Sequence, residues 1–454
     1  MVTIQIPTYN EKNVIERTLV SCLELDYPED RLEIVVVDDS TDETVDILRR
    51  YEARYRPRIK IIHRATRDGY KAGALKVAMK HSQGEFFVVL DADTSPDKDF
   101  LKKAIPYFLE DEKLGFIQGK IEYLNAESSW LTRSLALAND WYGTFNQSAL
   151  SRGGMLLSFL GSGGVLRRSV VEDAGGWESD TLTEDMDLSH RVQMRGWKAL
   201  YVEDARCLEE VPSSYFTAIQ QYNRHITGPI QNLRKHGSKI LKAKGMTALM
   251  KFEALIQMAY PLAYCLGLLC VAVTALAYLL LPGEFLREFW LSPVGIIFSI
   301  FMLVAFPYIS LITSFHLPAL IIVLSLPLLF LLLIRKEKVA AAKYVESLLG
   351  VTLIWNDNML TGTRVLIELL MKREAKWIRT PKLGSGLRLL TKKSEDKREL
   401  RTRMQEAALR MSSAALIILC LTAIVRRDLL INAFGLLVPA LGWIISAYLI
   451  LKSL

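Results

Sequence analysis

The chain has 454 residues, 51% of them hydrophobic, and a formal net charge of +7. The length suits two or three domains. The basic excess sits beside apolar runs (RKEK at 335–338, KKSEDKRELRTR at 392–403), a positive-inside pattern, and the lack of interleaved aromatic residues argues against a nucleic-acid-binding role.

Cys22, Cys207, Cys265, Cys270 and Cys420 are scattered without CxxC spacing, and the six histidines show no HExxH. Reduced structural thiols are expected, not metal ligands.

In chain order, VTIQIP opens as a strand, with no cleavable signal peptide expected ahead of it. A helix of about fifteen residues is predicted from Glu11. LEIVVVDDS reads as a buried strand ending in acids, followed by a helix over TVDILRRYEARY. IKIIHR is a third strand and KAGALKVAMKHS its helix; EFFVVLDAD is a fourth, again ending in acids, before a helix at DFLKKAIPYFLE; LGFIQGK is a fifth. This alternation predicts an α/β domain over residues 1–250, built of right-handed βαβ units on a mostly parallel, doubly wound sheet. Ligands of such sheets bind beyond the carboxyl ends of the strands, where Asp38, Asp39, Asp91 and Asp93 fall. The lack of GxGxxG after the first strand and of GxxxxGK[ST] argues against a dinucleotide oxidoreductase or a P-loop NTPase.

Four short stretches carry the chemistry. In LDADTSP, Asp91 and Asp93 stand two apart, so in extended chain both carboxylates face one point, as Mg2+ or Mn2+ bound with phosphate oxygens requires. In VVVDDST, adjacent acids at a strand tip can accept from the N–H and hydroxyl donors of a nucleoside. Lys71 of GYKAGALK lies near a helix N-terminus, where a phosphate is favoured. In SDTLTEDMDLSHRV, Thr181 and Glu184 have capping-box spacing, and Asp185 is placed to act as a general base. Farther on, QQYNRHITG sets Gln221, Arg224 and His225 on one helical face: an amide, a guanidinium suited to a diphosphate, and a ring to cover a sugar.

The order PTYNE, VVDDS, KAGAL, DAD, TED and QxxRx resembles the inverting glycosyltransferases of family 2, over roughly residues 2–235. Within that family the chain looks like the membrane-embedded, processive branch of cellulose, hyaluronan and plant mannan or glucomannan synthases, notably in IQGKIEYLNAESSWLTR and FLGSGGVLRRSVVEDAGGW. The resemblance implies a Rossmann-like type-A glycosyltransferase domain. It implies nucleoside contacts from Thr8, Tyr9, Glu11 and Asp39, and diphosphate contacts from Lys71, Gln221 and Arg224. It further implies a Mg2+ or Mn2+ ion on Asp91 and Asp93, catalysis by Asp185 with Glu184 and Asp93 beside it, and a gating loop in KWIRTPK (Trp377, Thr380, Lys382). His225 stands where the family has a Trp that stacks on the acceptor sugar. No counterpart of the family's leading transmembrane helix is expected before VTIQIP.

Residues 251–454 are expected to form transmembrane and interfacial helices. Ala259–Leu281 can cross a bilayer, which needs about 20 residues. Further spans are expected at 290–313, 315–334, 409–425 and 429–451, with an interfacial segment at 355–375. The head and KWIRTPK must share the cytosolic side, which gives four to six crossings of the plasma membrane. These runs are almost free of charge, which argues against a transport-only reading. The implied partners are a nucleotide-sugar donor of UDP-glucose or GDP-mannose type, a glycan acceptor and membrane lipid. Transfer of a single sugar to a polyprenyl-phosphate carrier is the alternative to polymer synthesis.

Overall fold

The structure, a computed structural model, describes residues 1–282, 338–371, 397–425 and 434–452, with a few further positions between 284 and 293. Its elements run β1 (Val2–Thr8), α1 (Ile15–Leu23), β2 (Leu32–Asp38), α2 (Thr44–Tyr55), β3 (Ile59–His63), α3 (Tyr70–His81), β4 (Phe86–Val89), β5 (Ser95–Pro96), α4 (Phe100–Glu110) and β6 (Leu114–Tyr123). After these come α5 (Trp130–Trp141), a π-helical segment (Tyr142–Gln147), α6 (Ser148–Arg152), β7 (Gly164–Arg167), α7 (Arg168–Asp173), α8 (Glu184–Met194), β8 (Lys198–Glu209) and α9 (Tyr215–Lys242). The remaining helices are α10 (Ala248–Ala259), α11 (Pro261–Leu280), α12 (Lys338–Leu370), α13 (Lys397–Val425) and α14 (Phe434–Lys452).

The run Ile34–Val37 shows why the early strands form. All four side chains are fully buried. Ile34 and Val36 join the core beneath α1 and α4, while Val35 and Val37 meet Ala74 and Ala78 of α3. A strand covered on both faces needs a continuous apolar run rather than alternation. Each such side chain contributes about 1.5–3 kcal/mol.

The strands are ordered β3-β2-β1-β4-β7-β6-β8-β5. Parallel pairing joins β3, β2, β1 and β4, and also β6 with β8. The sheet is mixed, however: β7 runs antiparallel to both β4 and β6, and β5 antiparallel to β8. β7 enters from segment 153–163 rather than from a crossover helix, so no βαβ unit sets its direction. The helix predicted from Glu11 begins at Ile15.

The helical part packs against the first half. Tyr215, Phe216, Ile219 and Tyr222 of α9 share a core with Leu353 and Ile354 of α12, Ala407 of α13 and Ile450 of α14. The interfacial segment expected at 355–375 lies largely within one long helix, α12. Among the described residues no single helix is long and apolar enough to cross a membrane; Ala248–Ala259 and Pro261–Ala277 meet that test only together, across a 61° bend. The spans expected at 290–313 and 315–334 fall almost wholly outside the described residues.

The span expected at 409–425 carries a charge that the sequence reading discounted. Arg410 is fully buried and donates to Asp357 of α12 at 2.5 and 2.6 Å and to Glu406 at 2.6 Å. Glu406 also accepts from Arg364, whose Nη2 donates to Asn223 Oδ1 of α9 at 3.1 Å. Arg410→Met should strand Asp357 in the interior and destabilise the protein by about 3–5 kcal/mol. Denaturant titration would show this, and adding Asp357→Leu should recover part of the loss.

Candidate active site

A cleft of about 340 Å³ opens at the carboxyl ends of the strands, where the order changes direction between β1 and β4. It brings together Thr8, Tyr9, Glu11, Asp39, Lys71, Asp91, Asp93, Glu184, Asp185, Gln221, Arg224 and His225. Residues more than 200 positions apart thus line one cavity. Trp377, Thr380 and Lys382 lie outside the described residues.

On one flank, Thr8 ends β1 and Asp39 follows β2. Asp39 is not a free acceptor: Arg64 holds it through Nε at 2.7 Å and Nη2 at 2.5 Å. The Arg67 guanidinium covers the Tyr9 ring at 3.5 Å. Neither arginine was singled out from the sequence. Asp38, the other half of the acid pair, is buried beneath this flank, bonded to His63 Nδ1 at 2.8 Å and to the Ser40 N–H at 3.0 Å.

Asp91 and Asp93 reach the cleft by a different route from the one expected. β4 stops at Val89, and the acids sit in a turn closed by the Thr94 N–H on the Asp91 carbonyl at 2.9 Å, not in extended chain. Their side chains line the cleft all the same. Asp91 is the more open, its side chain 41% exposed. Asp93 is buried, and its Oδ2 accepts the Glu210 N–H at 3.3 Å. Two hard carboxylates lining the cleft fit Mg2+ or Mn2+, which take oxygen ligands and keep waters.

Lys71 stands in the first turn of α3, as expected, but it is spent on acids. Its Nζ lies 2.5 Å from Asp91 Oδ1 and 3.8 Å from Glu184, and donates to the Gly161 carbonyl at 2.9 Å. Desolvation works against this ammonium, yet Asp91 and Glu184 raise its pKa above the ordinary lysine value. Gly161, at φ +87°, closes the arrangement: a Cβ there would sit 2.7 Å from Asp185 Oδ2 and 3.2 Å from Lys71 Nζ.

Asp185 opens α8 beside Glu184. The capping box expected from Thr181 does not form. Thr183 is the N-cap and makes no side-chain cap bond; its hydroxyl instead accepts from Asn232 Nδ2 of α9 at 2.9 Å. Asp185 Oδ1 accepts the Met186 N–H at 2.7 Å. Burial of its carboxyl and the neighbouring Glu184 push Asp185 up to about 7, against the lowering pull of Lys71. A carboxylate of that affinity is suited to taking a proton near neutral pH.

Helix α9 supplies the opposite wall. Gly228 allows α8 to approach, since a Cβ there would fall 2.3 Å from Thr183 Cγ2. Pro229 has no N–H for the carbonyl of His225, four residues back. That carbonyl accepts instead from Tyr260 Oη at 2.6 Å, which ties His225 to the start of the helical part. Behind the cleft, Asp187 is fully buried between the two helices and bonds to Arg191 at 2.7 Å, Lys235 at 2.7 Å and His236 at 2.6 Å. Burial alone would raise its carboxyl, but these partners, His236 and Lys235 foremost, hold it well below the usual range. Glu178, Asp180 and Asp187 cluster as metal ligands could, but Lys235 Nζ lies within 2.7 Å of all three and already supplies a cation among them.

Residues 1–228 match the family described as glycosyltransferase like family 2. Glucomannan 4-beta-mannosyltransferase 7 of Arabidopsis thaliana is 36% identical over 262 residues, covering 56% of this chain and 47% of the relative. Probable glucomannan 4-beta-mannosyltransferase 4 of Oryza sativa subsp. japonica is 38% identical over 262 residues, covering 56% and 48%. The chain thus spans about half the length of the curated relatives it matches. Among solved structures, the mannosyltransferase PcManGT of Pyrobaculum calidifontis, in complex with GDP-Man and Mn2+, shares the fold with a TM-score of 0.50 at 22% identity, over 82% of this chain and 88% of that one.

The site predicts an anomalous titration. Carbon-13 NMR of the Asp185 carboxyl should show a midpoint near 7, and Glu184→Gln should lower it by removing a like charge. A midpoint at the ordinary aspartate value of about 4 would contradict the geometry.

Proposed function

The chain belongs to glycosyltransferase family 2, and from that premise we propose that it is an inverting hexosyltransferase extending a β-linked polysaccharide from a nucleotide-sugar donor. The observation that carries the reading is Asp185, a carboxylate of raised proton affinity sharing one cleft with Asp91, Asp93, Lys71 and Arg224. The names of the relatives favour a β-mannan or glucomannan product, and the GDP-Man bound by the Pyrobaculum calidifontis neighbour supports a donor of GDP-mannose type over UDP-glucose.

The donor nucleoside lies against Thr8, Tyr9, Glu11 and Asp39, with its diphosphate directed toward Lys71, Gln221 and Arg224. Asp91 and Asp93 would hold Mg2+ or Mn2+, whose charge neutralises the diphosphate leaving group. Asp185 accepts the proton of an acceptor hydroxyl, with Glu184 maintaining its affinity. The hydroxyl oxygen attacks the anomeric carbon from the face opposite the diphosphate, and the bond from that carbon to the diphosphate oxygen breaks. An α-linked donor therefore gives a β-linkage. Lys71 is already charged and desolvated, so it can exchange Asp91 for a phosphate with little change in its own state.

The apolar runs after residue 250 support a multi-pass plasma-membrane location with the head on the cytosolic side and the product leaving across the bilayer. Trp377, Thr380 and Lys382 would then close over the nucleotide. One observation favours the second reading, transfer of one sugar to a polyprenyl-phosphate lipid: His225 offers less stacking surface than the Trp it replaces.

Product analysis tests both. Purified protein with labelled GDP-mannose or UDP-glucose and Mn2+ should yield a high-molecular-weight, β-glycanase-sensitive product. Label found only in a lipid extract would select the second reading. Asp185→Asn should reduce transfer at least 10³-fold, on the order expected for a lost general base, while donor affinity stays close to wild type. Because the base works as its carboxylate, kcat/KM should fall about tenfold per pH unit below about 7. Chelation by EDTA should stop transfer, and Mn2+ should restore it.

A further inference from the structure

The cleft has a second flank, away from the residues proposed above to face the donor. The nucleoside-facing residues stand at β1 and β2, and the acids follow β4. Beyond these the sheet continues through β7 and β6 to β8, each strand about 4.8 Å farther on. Tyr123 at the end of β6, Tyr201 of β8, and Tyr142 and Gly143 of the π-helical segment line this side.

Tyr201 is the residue to explain. It is 8% exposed, and its Oη is buried without a hydrogen-bond partner among the described residues. A buried phenol left unpaired weakens a fold, and such groups are uncommon unless a ligand or water completes them. The rest of the residue is firmly held. Its N–H donates to Ser151 Oγ at 3.0 Å, and its ring packs in the core containing Phe116, Leu166 and Val170. The space beside the hydroxyl is kept by Gly143, where a Cβ would stand 3.1 Å from Tyr201 Oη. That glycine lies in a six-residue π-helical segment, a costly conformation that recurs at binding sites. The same segment presents Tyr142, whose Oη accepts from Gln147 Nε2 at 2.9 Å and is thereby oriented.

We propose that Tyr201 Oη is a hydroxyl-binding subsite for the acceptor glycan, engaging a sugar unit behind the one that reacts, with Tyr142 and Tyr123 as its aromatic walls. A phenol offers one donor and two acceptor positions, which suits a sugar hydroxyl, and flanking rings suit the C–H face of a pyranose. The subsite rests on the transferase reading above. It also accounts for how a chain with His225 in place of a stacking Trp retains an acceptor: part of the grip is moved to the β8 flank.

The test is Tyr201→Phe in the full chain, which removes Oη and keeps the ring. With mannotetraose or cellotetraose as acceptor, the acceptor KM should rise about tenfold, the effect of one lost hydrogen bond. The donor KM should stay within twofold, and thermal stability should be equal or higher, because an unpaired hydroxyl has gone. Calorimetric binding of the same oligosaccharides without donor should weaken by the same factor, and Gly143→Ala should act in the same direction. Unchanged acceptor KM and unchanged oligosaccharide affinity would overturn the subsite and leave Oη as a water-binding group. Wild-type protein that binds no oligosaccharide would overturn it too. Protein that binds oligosaccharide through Tyr201 but transfers no sugar would sink the transferase reading and spare the subsite.

Discussion

The site depends on a carboxylate that does no chemistry. Asp187 lies fully buried where α8 meets α9, shared among Arg191, Lys235 and His236. An unpaired charge at such a position would be prohibitive; with three donors around it, the acid becomes a specific joint between two helices. Asp185 is two residues along one helix, and Gln221, Arg224 and His225 project from the other. Gly228 brings the helices to contact distance, and the bond from Asn232 to Thr183 sets their register. The placement of Asp185 relative to Arg224 is therefore a property of this joint, not of either helix alone.

In front of the joint the charges are deliberately unbalanced. Asp91, Asp93, Glu184 and Asp185 line a cleft in which Lys71 touches one acid and lies near a second. Like charges in a desolvated space push proton affinity upward, and Asp185 absorbs that push. An arriving diphosphate with its cation would redistribute the same charges: Lys71 can turn to phosphate, and the acids at 91 and 93 gain a cation partner.

The helical part is not a passive anchor. A line of polar contacts runs from Asp357 and Arg410 through Glu406 and Arg364 to Asn223, next to Arg224 on α9. Buried ion pairs stabilise little compared with apolar packing, but they tolerate few alternative geometries. The line connects α12 and α13 to the same helix that meets α8. The bond from Tyr260 to the carbonyl freed by Pro229 adds a second connection, from the residue just before α11.

Much of the fold was legible in the sequence because it is written in local patterns. Runs such as Ile34–Val37 can satisfy themselves only inside a two-sided sheet, and acids at strand tips need water, a ligand or polar protein partners. The ordered stretches PTYNE, DAD, TED and QxxRx marked residues that the structure collects in one cleft. What was not legible depends on partners distant in sequence. The reversed direction of β7, the turn that carries Asp91 and Asp93, the arginine on Asp39, the charge buried at Arg410 and the unpaired hydroxyl of Tyr201 leave no periodic trace. Whether a polar side chain is spent or available is settled by the atoms opposite it, and those are brought there by the sheet order and by the α8–α9 contact. The sequence by itself determined which chemical groups the protein has and which short elements carry them; only the tertiary structure decided which of those groups neutralise one another and which face the cleft, because that balance is electrostatic and steric and acts through space rather than along the chain.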